Sequence, residues 1–284
     1  VIPKKPIVIY HANCLDGFTA AWAFYDKYGD TMEYVPGVYQ GTVPDVTDRH
    51  VFLVDFSYKR DIVEAMLLIA KSVTLIDHHK SALEDLWDLE TKGLNVSQSS
   101  LSRSGAVLAW LYVNRPNVKI PKVIQHIQDR DLWLFEKEGT KEICAYLYNK
   151  LGDTTLKDWG QYMAPRATAY SNMVSIGAAL VEDHTKLAVS AAKYTRPITL
   201  GGVEVPMVNC MPFASSEVGN ILAMENPFGV TYIDMKDCRN FSLRSDKSNP
   251  NAVDVSKIAQ QYGGGGHWAA AGFRVPRDHE LAKV

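Results

Sequence analysis

Asp77, His78 and His79 stand together at the end of an apolar run, residues 73–76 (VTLI). A carboxylate followed by two imidazoles is the donor set of a hard or borderline divalent cation such as manganese or magnesium. The arrangement recurs twice upstream: residues 7–10 (IVIY) run into His11 with Asp16 just beyond, and residues 51–54 (VFLV) run into Asp55. Each residue also has a plainer reading. His11 can be a satisfied core histidine, Asp16 a helix N-cap favoured by the dipole, Asp55 a cap for the next turn, and the His-His pair a solvated polar turn. Neighbours on an extended chain point to opposite faces, so His78 and His79 divide the work, one toward a metal and the other toward a substrate.

The elements that must position these groups follow from the apolar patterning. Short β-branched runs of this kind read as buried strands. A helix over about 18–28 follows the first, and residues 60–70 carry helical spacing before the third. Residues 32–38 read as a further strand, broken by Pro36 and Gly37. Strand alternating with helix implies an α/β fold with a parallel sheet and right-handed crossovers. In such sheets ligands bind in a crevice at the strand C-termini, where His11, Asp55 and Asp77 would all arrive.

Residues 97–104 (SQSSLSRS) read as a polar loop feeding a helix from Gly105. Free N–H groups and hydroxyls there could hold a phosphate, with Arg103 helping. Pro121 opens another helix that ends in Asp129-Arg130-Asp131. Carboxylates at a helix C-terminus oppose the dipole, so a compensating cation is expected, either Arg130 or a metal on Asp129. Residues 141–150 and 156–161 read as helices, and 167–192 as a long amphipathic connecting stretch. Beyond Pro197 the pattern predicts a hairpin over 198–210 turning at Gly201-Gly202, strands over 230–235 and 240–244, and a helix over 255–262. The expected organisation is a metal-binding catalytic domain over 1–170, a connecting helix over 171–195 and a smaller α+β domain over 196–284.

The second chemistry-bearing stretch is 263–272, GGGGHWAAAG. Glycine is costly to order, and a flexible tether would be serine-rich with polar flanks. The run therefore reads as backbone that approaches a ligand closely and aims N–H groups at an anion, through Gly264, Gly265 and Gly266, with His267 contacting phosphate or base. Arg244 is the natural guanidinium partner for a phosphate oxygen. Trp133 and Trp268 are candidates for base stacking, with core packing as the alternative.

With 284 residues, 46% hydrophobic and 22% charged, the chain has the composition of an ordinary globular protein with a sizeable core. A net charge of −2 argues against wholesale binding of long nucleic acid, but leaves room for a small phosphorylated ligand. The cysteines, Cys14, Cys144, Cys210 and Cys238, are widely spaced and read as reduced thiols. The start is short and polar for a signal peptide, and no run approaches the about 18–20 apolar residues of a membrane span. The expectation is a cytoplasmic protein with no membrane partner and an open oligomeric state.

Taken in order, His11, Asp16-Gly17, Asp55, Asp77-His78-His79, Asp129 and the distal GGGGHWAAAG resemble the DHH/DHHA1 superfamily of phosphoesterases. That superfamily includes nanoRNA and phosphoadenosine-phosphate phosphatases, single-strand-specific exonucleases, cyclic-dinucleotide phosphodiesterases and family II inorganic pyrophosphatases. The resemblance implies a two-metal site, usually manganese with magnesium as the alternative. Asp16, Asp55, His78 and Asp129 would hold one ion, with Asp55 bridging to a second held partly by His11. Asp77, His79 and Asp55 would be the catalytic groups, His79 facing the scissile phosphate. The reaction implied is in-line attack by a metal-bridging hydroxide. The second domain would grip the substrate through Gly264, Gly265, Gly266, His267 and Arg244. One departure stands out: many members carry an Asp where this chain has Cys14. Either Cys14 ligates as a thiolate, biasing the position toward a softer metal, or Asn13 helps, or the second metal is weakly held; the plainer reading of Cys14 is a small apolar residue. The expected substrates are short oligonucleotides, cyclic dinucleotides or nucleotides, not long duplexes. The alternatives are a non-catalytic nucleotide-binding protein with a degraded metal site, and an inorganic pyrophosphatase.

Overall fold

The computed structural model describes residues 3–39, 41–114 and 118–283. The chain divides after Val181 into two compact units. The first begins with β1 (Ile7–His11), α1 (Leu15–Tyr28), β2 (Glu33–Gly37), β3 (His50–Val54), α2 (Arg60–Ile69) and β4 (Ser72–Asp77). It continues with α3 (Lys80–Leu86), β5 (Leu94–Ser99), α4 (Gly105–Val113), α5 (Lys122–Asp131), α6 (Thr140–Leu151) and α7 (Leu156–Met163). The helix α8 (Ala167–Ala191) runs from the first unit into the second. The second unit then contains β6 (Arg196–Leu200), β7 (Val203–Asn209), α9 (Ser215–Ala223), β8 (Gly229–Asp234), β9 (Cys238–Arg244), α10 (Val255–Gln261), β10 (Gly265–Gly266), β11 (Ala270–Pro276) and α11 (Glu280–Lys283).

In the first unit the strands form one sheet in the order β2-β1-β3-β4-β5, with every pair parallel. The apolar runs alternate faces as a pleated strand must. Val8, Val54 and Ile76 pack into one core with Leu15, Ala23, Val107 and Ile127, while Ile7, Ile9, Leu53 and Leu75 pack into another with Val63 and Met66. Both faces are therefore covered, the arrangement that suits continuous apolar strands. Trp22 of α1 stacks on Trp110 of α4 with centroids 6.0 Å apart, a pair worth about 1 kcal/mol beyond its burial. Pro36 lies on β2 at the sheet's edge, where a missing N–H breaks no ladder.

The second unit is a mixed sheet in the order β10-β11-β9-β8-β7-β6. β7 and β8 are parallel and connected through α9; the other pairs are antiparallel. Its main core joins Val230, Phe241, Leu243 and Phe273 to Ile258 of α10, and a smaller cluster packs Val218 and Leu222 of α9 against Val208. The expected turn at Gly201 and Gly202 is present, with φ of 59° and 79°.

Two expectations change. The polar stretch 97–104 is not all loop, because its first residues belong to β5. That strand pairs with β4 at the sheet's other edge and buries Leu94 between polar neighbours, which hides it from an apolar-run criterion. The segment after the glycine run is a seven-residue strand, β11, whose small residues Ala270, Ala271 and Gly272 carry little β signal. Among the described residues no helix is long and apolar enough to cross a membrane.

Candidate metal centre

β1 ends in His11, β3 delivers Asp55 and β4 ends in Asp77, followed by His78 and His79. Because the strands are parallel neighbours in register, their C-terminal ends lie at one edge of the sheet. Asp16 joins them from the first turn of α1, with Cys14 at that helix's N-cap position rather than Asp16. α4 closes on the group through its N-terminus, where the Ala106 N–H donates to Asp16 Oδ1 at 3.1 Å. The approach is close enough to require glycine. A Cβ on Gly105 would stand 2.6 Å from Asp55 Oδ1, and one on Gly17 would stand 2.5 Å from the His11 carbonyl. Asp55 itself has φ of 51°, the left-handed region that an aspartate enters at modest cost.

His78 is the hub. Its Nε2 lies 3.1 Å from Asp55 Oδ1, 3.4 Å from Asp131 Oδ2 and 3.9 Å from Asp16 Oδ2. His11 Nδ1 is 3.6 Å from Asp55 Oδ2. Asp77 Oδ1 accepts from the His78 and His79 backbone N–H groups at 2.8 and 3.2 Å and meets His79 Nδ1 at 2.7 Å, so it fixes the turn and the His79 ring. Ligand atoms within 4.8 Å of one another come from Asp16, His78 and Asp131, from His11, Cys14 and Asp55, and from Asp55, Asp77 and His79.

The electrostatics are those of a crowded anionic cradle. Burial, and then the charges of Asp55 and Asp131, push the Asp16 carboxyl well above the usual range. Burial also raises Asp131, an effect that His78 partly offsets and Asp55 reinforces. Asp55 feels burial most, yet His11 and His78 outweigh it and hold the group well below the ordinary carboxylate value. Burial opposes the His78 imidazolium, but Asp131, Asp55 and Asp16 together push its pKa up to about 10. Burial, then Asp55, Asp131 and Asp16, raise the Cys14 thiol well above its usual value. Buried carboxylates of this kind are stable only when paired or bound to a cation.

A divalent metal fits these residues. Asp16 Oδ2, Asp55 Oδ2, Asp77 Oδ2, Asp131 Oδ2 and His11 Nδ1 are all buried without a hydrogen-bond partner. Native interiors tolerate few such atoms, and three of the carboxylates that carry them, Asp16, Asp55 and Asp131, meet at the His78 imidazole. Oxygen and nitrogen donors suit manganese or magnesium; the Cys14 sulfur beside His11 and Asp55 adds a softer donor.

Asp129 lies elsewhere, which corrects the expectation that it binds the metal. Two steps along a helix turn a side chain through about 200°, so residues 129 and 131 of α5 cannot face the same group. Asp131 points to His78, whereas the Asp129 carboxylate accepts from the N–H groups of Glu136 and Lys137 and the Thr140 hydroxyl. The sequence held a signal for Asp131, because it continues the Ile124–Ile127 apolar stripe at the next helical spacing. His126 followed by Asp129 makes the same pattern, so periodicity alone leaves two candidates. Arg103 is exposed in the turn before α4, and its guanidinium makes no hydrogen bond or ion pair among the described residues.

In the second unit the glycine run is organised differently from expectation. The Gly263, Gly264 and His267 N–H groups donate to the carbonyls of Gln260, Ala259 and Ala270 at 3.1, 2.9 and 2.7 Å. These donors close α10 and the β10–β11 hairpin, so they are not aimed at an anion. Gly265 and Gly266 form β10, paired with Gly272 and Ala271. The need for glycine is steric: a Cβ on Gly264 would overlap the Gly272 carbonyl and stand 2.5 Å from Phe273 Cβ. Arg244 is fixed by the Ser242 hydroxyl, the Leu243 carbonyl and the Ser216 hydroxyl at 3.2, 2.9 and 2.8 Å. Trp133 is 39% exposed, so core packing does not account for it, while Trp268 is partly buried with Lys247 above its ring.

No family model matches the chain. An uncharacterized protein of Acanthamoeba polyphaga mimivirus is 28% identical over 94% of this chain, which spans 66% of that relative's length. Among solved structures, the DHH domain of a member of the s1p family of ribosomal proteins aligns over 98% of this chain and 85% of its own, with a TM-score of 0.59 at 12% identity. RecJ from Thermus thermophilus, in complex with manganese, aligns over 95% of this chain and 49% of its own, with a TM-score of 0.51 at 14% identity. The chain therefore has the α/β fold of DHH-domain proteins, a parallel-sheet unit followed by a smaller mixed-sheet unit.

Proposed function

We propose that the chain is a metal-dependent phosphoesterase of the DHH/DHHA1 type, acting on phosphate esters of short oligonucleotides or nucleotides. The observation that carries this reading is the convergence of Asp16, Asp55, His78 and Asp131, three carboxylates about one imidazole, with buried oxygen atoms left unsatisfied. RecJ, a protein of this fold, binds manganese, which supports the choice of cation. In this reading Asp16, Asp55, His78 and Asp131 hold one ion, and His11, Cys14 and Asp55 hold a second. A divalent ion so held supplies Lewis-acid stabilisation to a phosphate oxygen and acidifies water within its reach.

The protein's own groups do the positioning. Asp77 accepts a hydrogen bond from His79 Nδ1–H and so directs Nε2 as the atom that contacts phosphate. The left-handed turn at Asp55 brings its carboxylate between the two donor groups. In the second unit Arg244, held by three oxygen acceptors, and His267 are assigned to a substrate phosphate or base. The net charge of −2 favours small substrates, because affinity for polymers scales with the number of phosphates neutralised.

The test is a substrate panel in manganese and in magnesium: di- to pentanucleotides, a cyclic dinucleotide, a bisphosphorylated nucleotide and pyrophosphate. Turnover of a nucleotide substrate, lost in Asp55→Asn, is the expected result. Turnover of pyrophosphate alone selects the pyrophosphatase alternative, and binding without any cleavage selects a non-catalytic module.

A further inference from the structure

Asp129 is buried beside the proposed metal cradle without entering it, and both its carbonyl and its carboxylate accept hydrogen bonds from the turn that follows α5. Its carbonyl accepts the N–H groups of Leu134 and Phe135 at 2.8 and 3.3 Å. Its carboxylate accepts the N–H groups of Glu136 and Lys137, each at 3.0 Å, and the Thr140 hydroxyl at 2.6 Å. One residue thus gathers the whole turn from α5 into α6. The turn is strained: Trp133 and Phe135 have φ of 58° and 52°, a region that bulky side chains rarely adopt. Hydrogen bonds to a charged acceptor are stronger than neutral ones, and the Asp129 carboxylate makes three of them to this turn and to α6.

The contacts continue inward as a directed chain. The Thr140 hydroxyl donates its hydrogen bond to Asp129, so its oxygen accepts from His126 Nδ1–H at 2.8 Å. His126 Nε2 then accepts the Tyr170 hydroxyl proton at 2.8 Å. Burial first, and then Lys122, push the His126 pKa down to about 4, in keeping with the neutral ring this chain of donors needs. The network ties α5, α6 and α8 together one half-turn of helix from Asp131.

We propose that Asp129 is a positioning residue for the cation site: by fixing the last turn of α5 through Thr140 and His126, it sets the direction of the Asp131 carboxylate toward His78. This rests on reading the strand-end group as a cation site. Asp129 is two residues from Asp131 on the opposite side of α5, so it acts through the backbone and not as a ligand. Outer contacts of this kind hold metal ligands in place, and their loss typically costs about 10–100-fold in metal affinity.

The experiment is calorimetric titration of manganese into the full chain and its variants. Asp129→Asn is expected to weaken binding by about 10–100-fold, since an amide nitrogen would confront N–H donors. Thr140→Val should weaken it in the same direction, and Thr140→Ser should restore it; these keep the test open if Asp129→Asn does not fold. In the Asp131→Asn background, Asp129→Asn should cost nothing further. Unchanged affinity in Thr140→Val and Asp129→Asn, or losses that multiply in the double variant, would overturn the proposal. If the wild-type chain takes up no manganese, the cation-site reading fails instead; if Asp131→Asn alone loses affinity, only the role of Asp129 does.

Discussion

The strand ends of the first unit and the glycine run of the second both bring parts of the chain unusually close, and they differ in what that closeness leaves unsatisfied. At the strand ends, Gly105 admits α4 against Asp55 and Gly17 admits α1 against His11, and there carboxylate oxygens of Asp16, Asp55, Asp77 and Asp131 are buried without hydrogen-bond partners. In the glycine run, Gly264 admits β11 equally near, but the N–H groups of Gly263, Gly264 and His267 are consumed by neighbouring carbonyls. Close packing with spent donors is architecture. Close packing with stranded acceptors is a place for a cation. The difference teaches that a glycine signals approach, and only the hydrogen-bond ledger says to what.

That contrast can be broken most forcefully at the two glycines. Gly105 begins α4, where alanine would ordinarily favour the helix by about 1 kcal/mol. Here Gly105→Ala drives a methyl into Asp55, so a net loss of about 1–3 kcal/mol is expected. Manganese affinity should fall with it. Gly264→Ala should cost the second unit a similar amount, read by thermal unfolding, while leaving manganese affinity intact. Equal effects of the two substitutions on manganese binding would erase the distinction between the regions.

A finer probe is Cys14. Its sulfur lies with donor atoms of His11 and Asp55 inside 4.8 Å. Cys14→Ser is expected to lower affinity for zinc or cadmium relative to manganese, measured by competition titration. A ratio that does not move would make Cys14 a spectator at the N-terminus of α1.

The smallest effect concerns the network behind the cradle. Unfolded, His126 protonates near 6.5; folded, near 4. Between those values the unfolded chain binds the extra proton, so lowering the pH through this window destabilises the first unit, and the contribution is complete above it. His126→Gln should flatten the fall of melting temperature over that range. An unchanged slope would show that the ring titrates freely in the folded chain.

The sequence disclosed the cradle unevenly, for physical reasons. Three buried strands were legible because VTLI, IVIY and VFLV end abruptly in Asp or His, and a parallel sheet has only one edge at which such ends can meet. β5 was hidden, because an edge strand with one buried leucine looks like a polar loop. Asp131 was hidden behind Asp129, since Asp131 follows Ile124 and Ile127 at helical spacing as Asp129 follows His126, and only the packed helix reveals which side meets His78. The glycine run was legible as close backbone approach but not in its object, because β11 has too many small residues to announce itself as the partner strand.

The central claim is that the strand-end carboxylates and imidazoles of the first unit are a cation site. Titration calorimetry of manganese into the wild-type chain and into Asp55→Asn tests it most directly, with thermal unfolding to confirm that both are folded. Asparagine tolerates the left-handed conformation at position 55, so the variant should keep its fold and lose affinity by more than about 100-fold, beyond the cost of losing an outer contact. Saturable binding that Asp55→Asn leaves untouched, or no binding to the wild-type chain at all, would contradict the account.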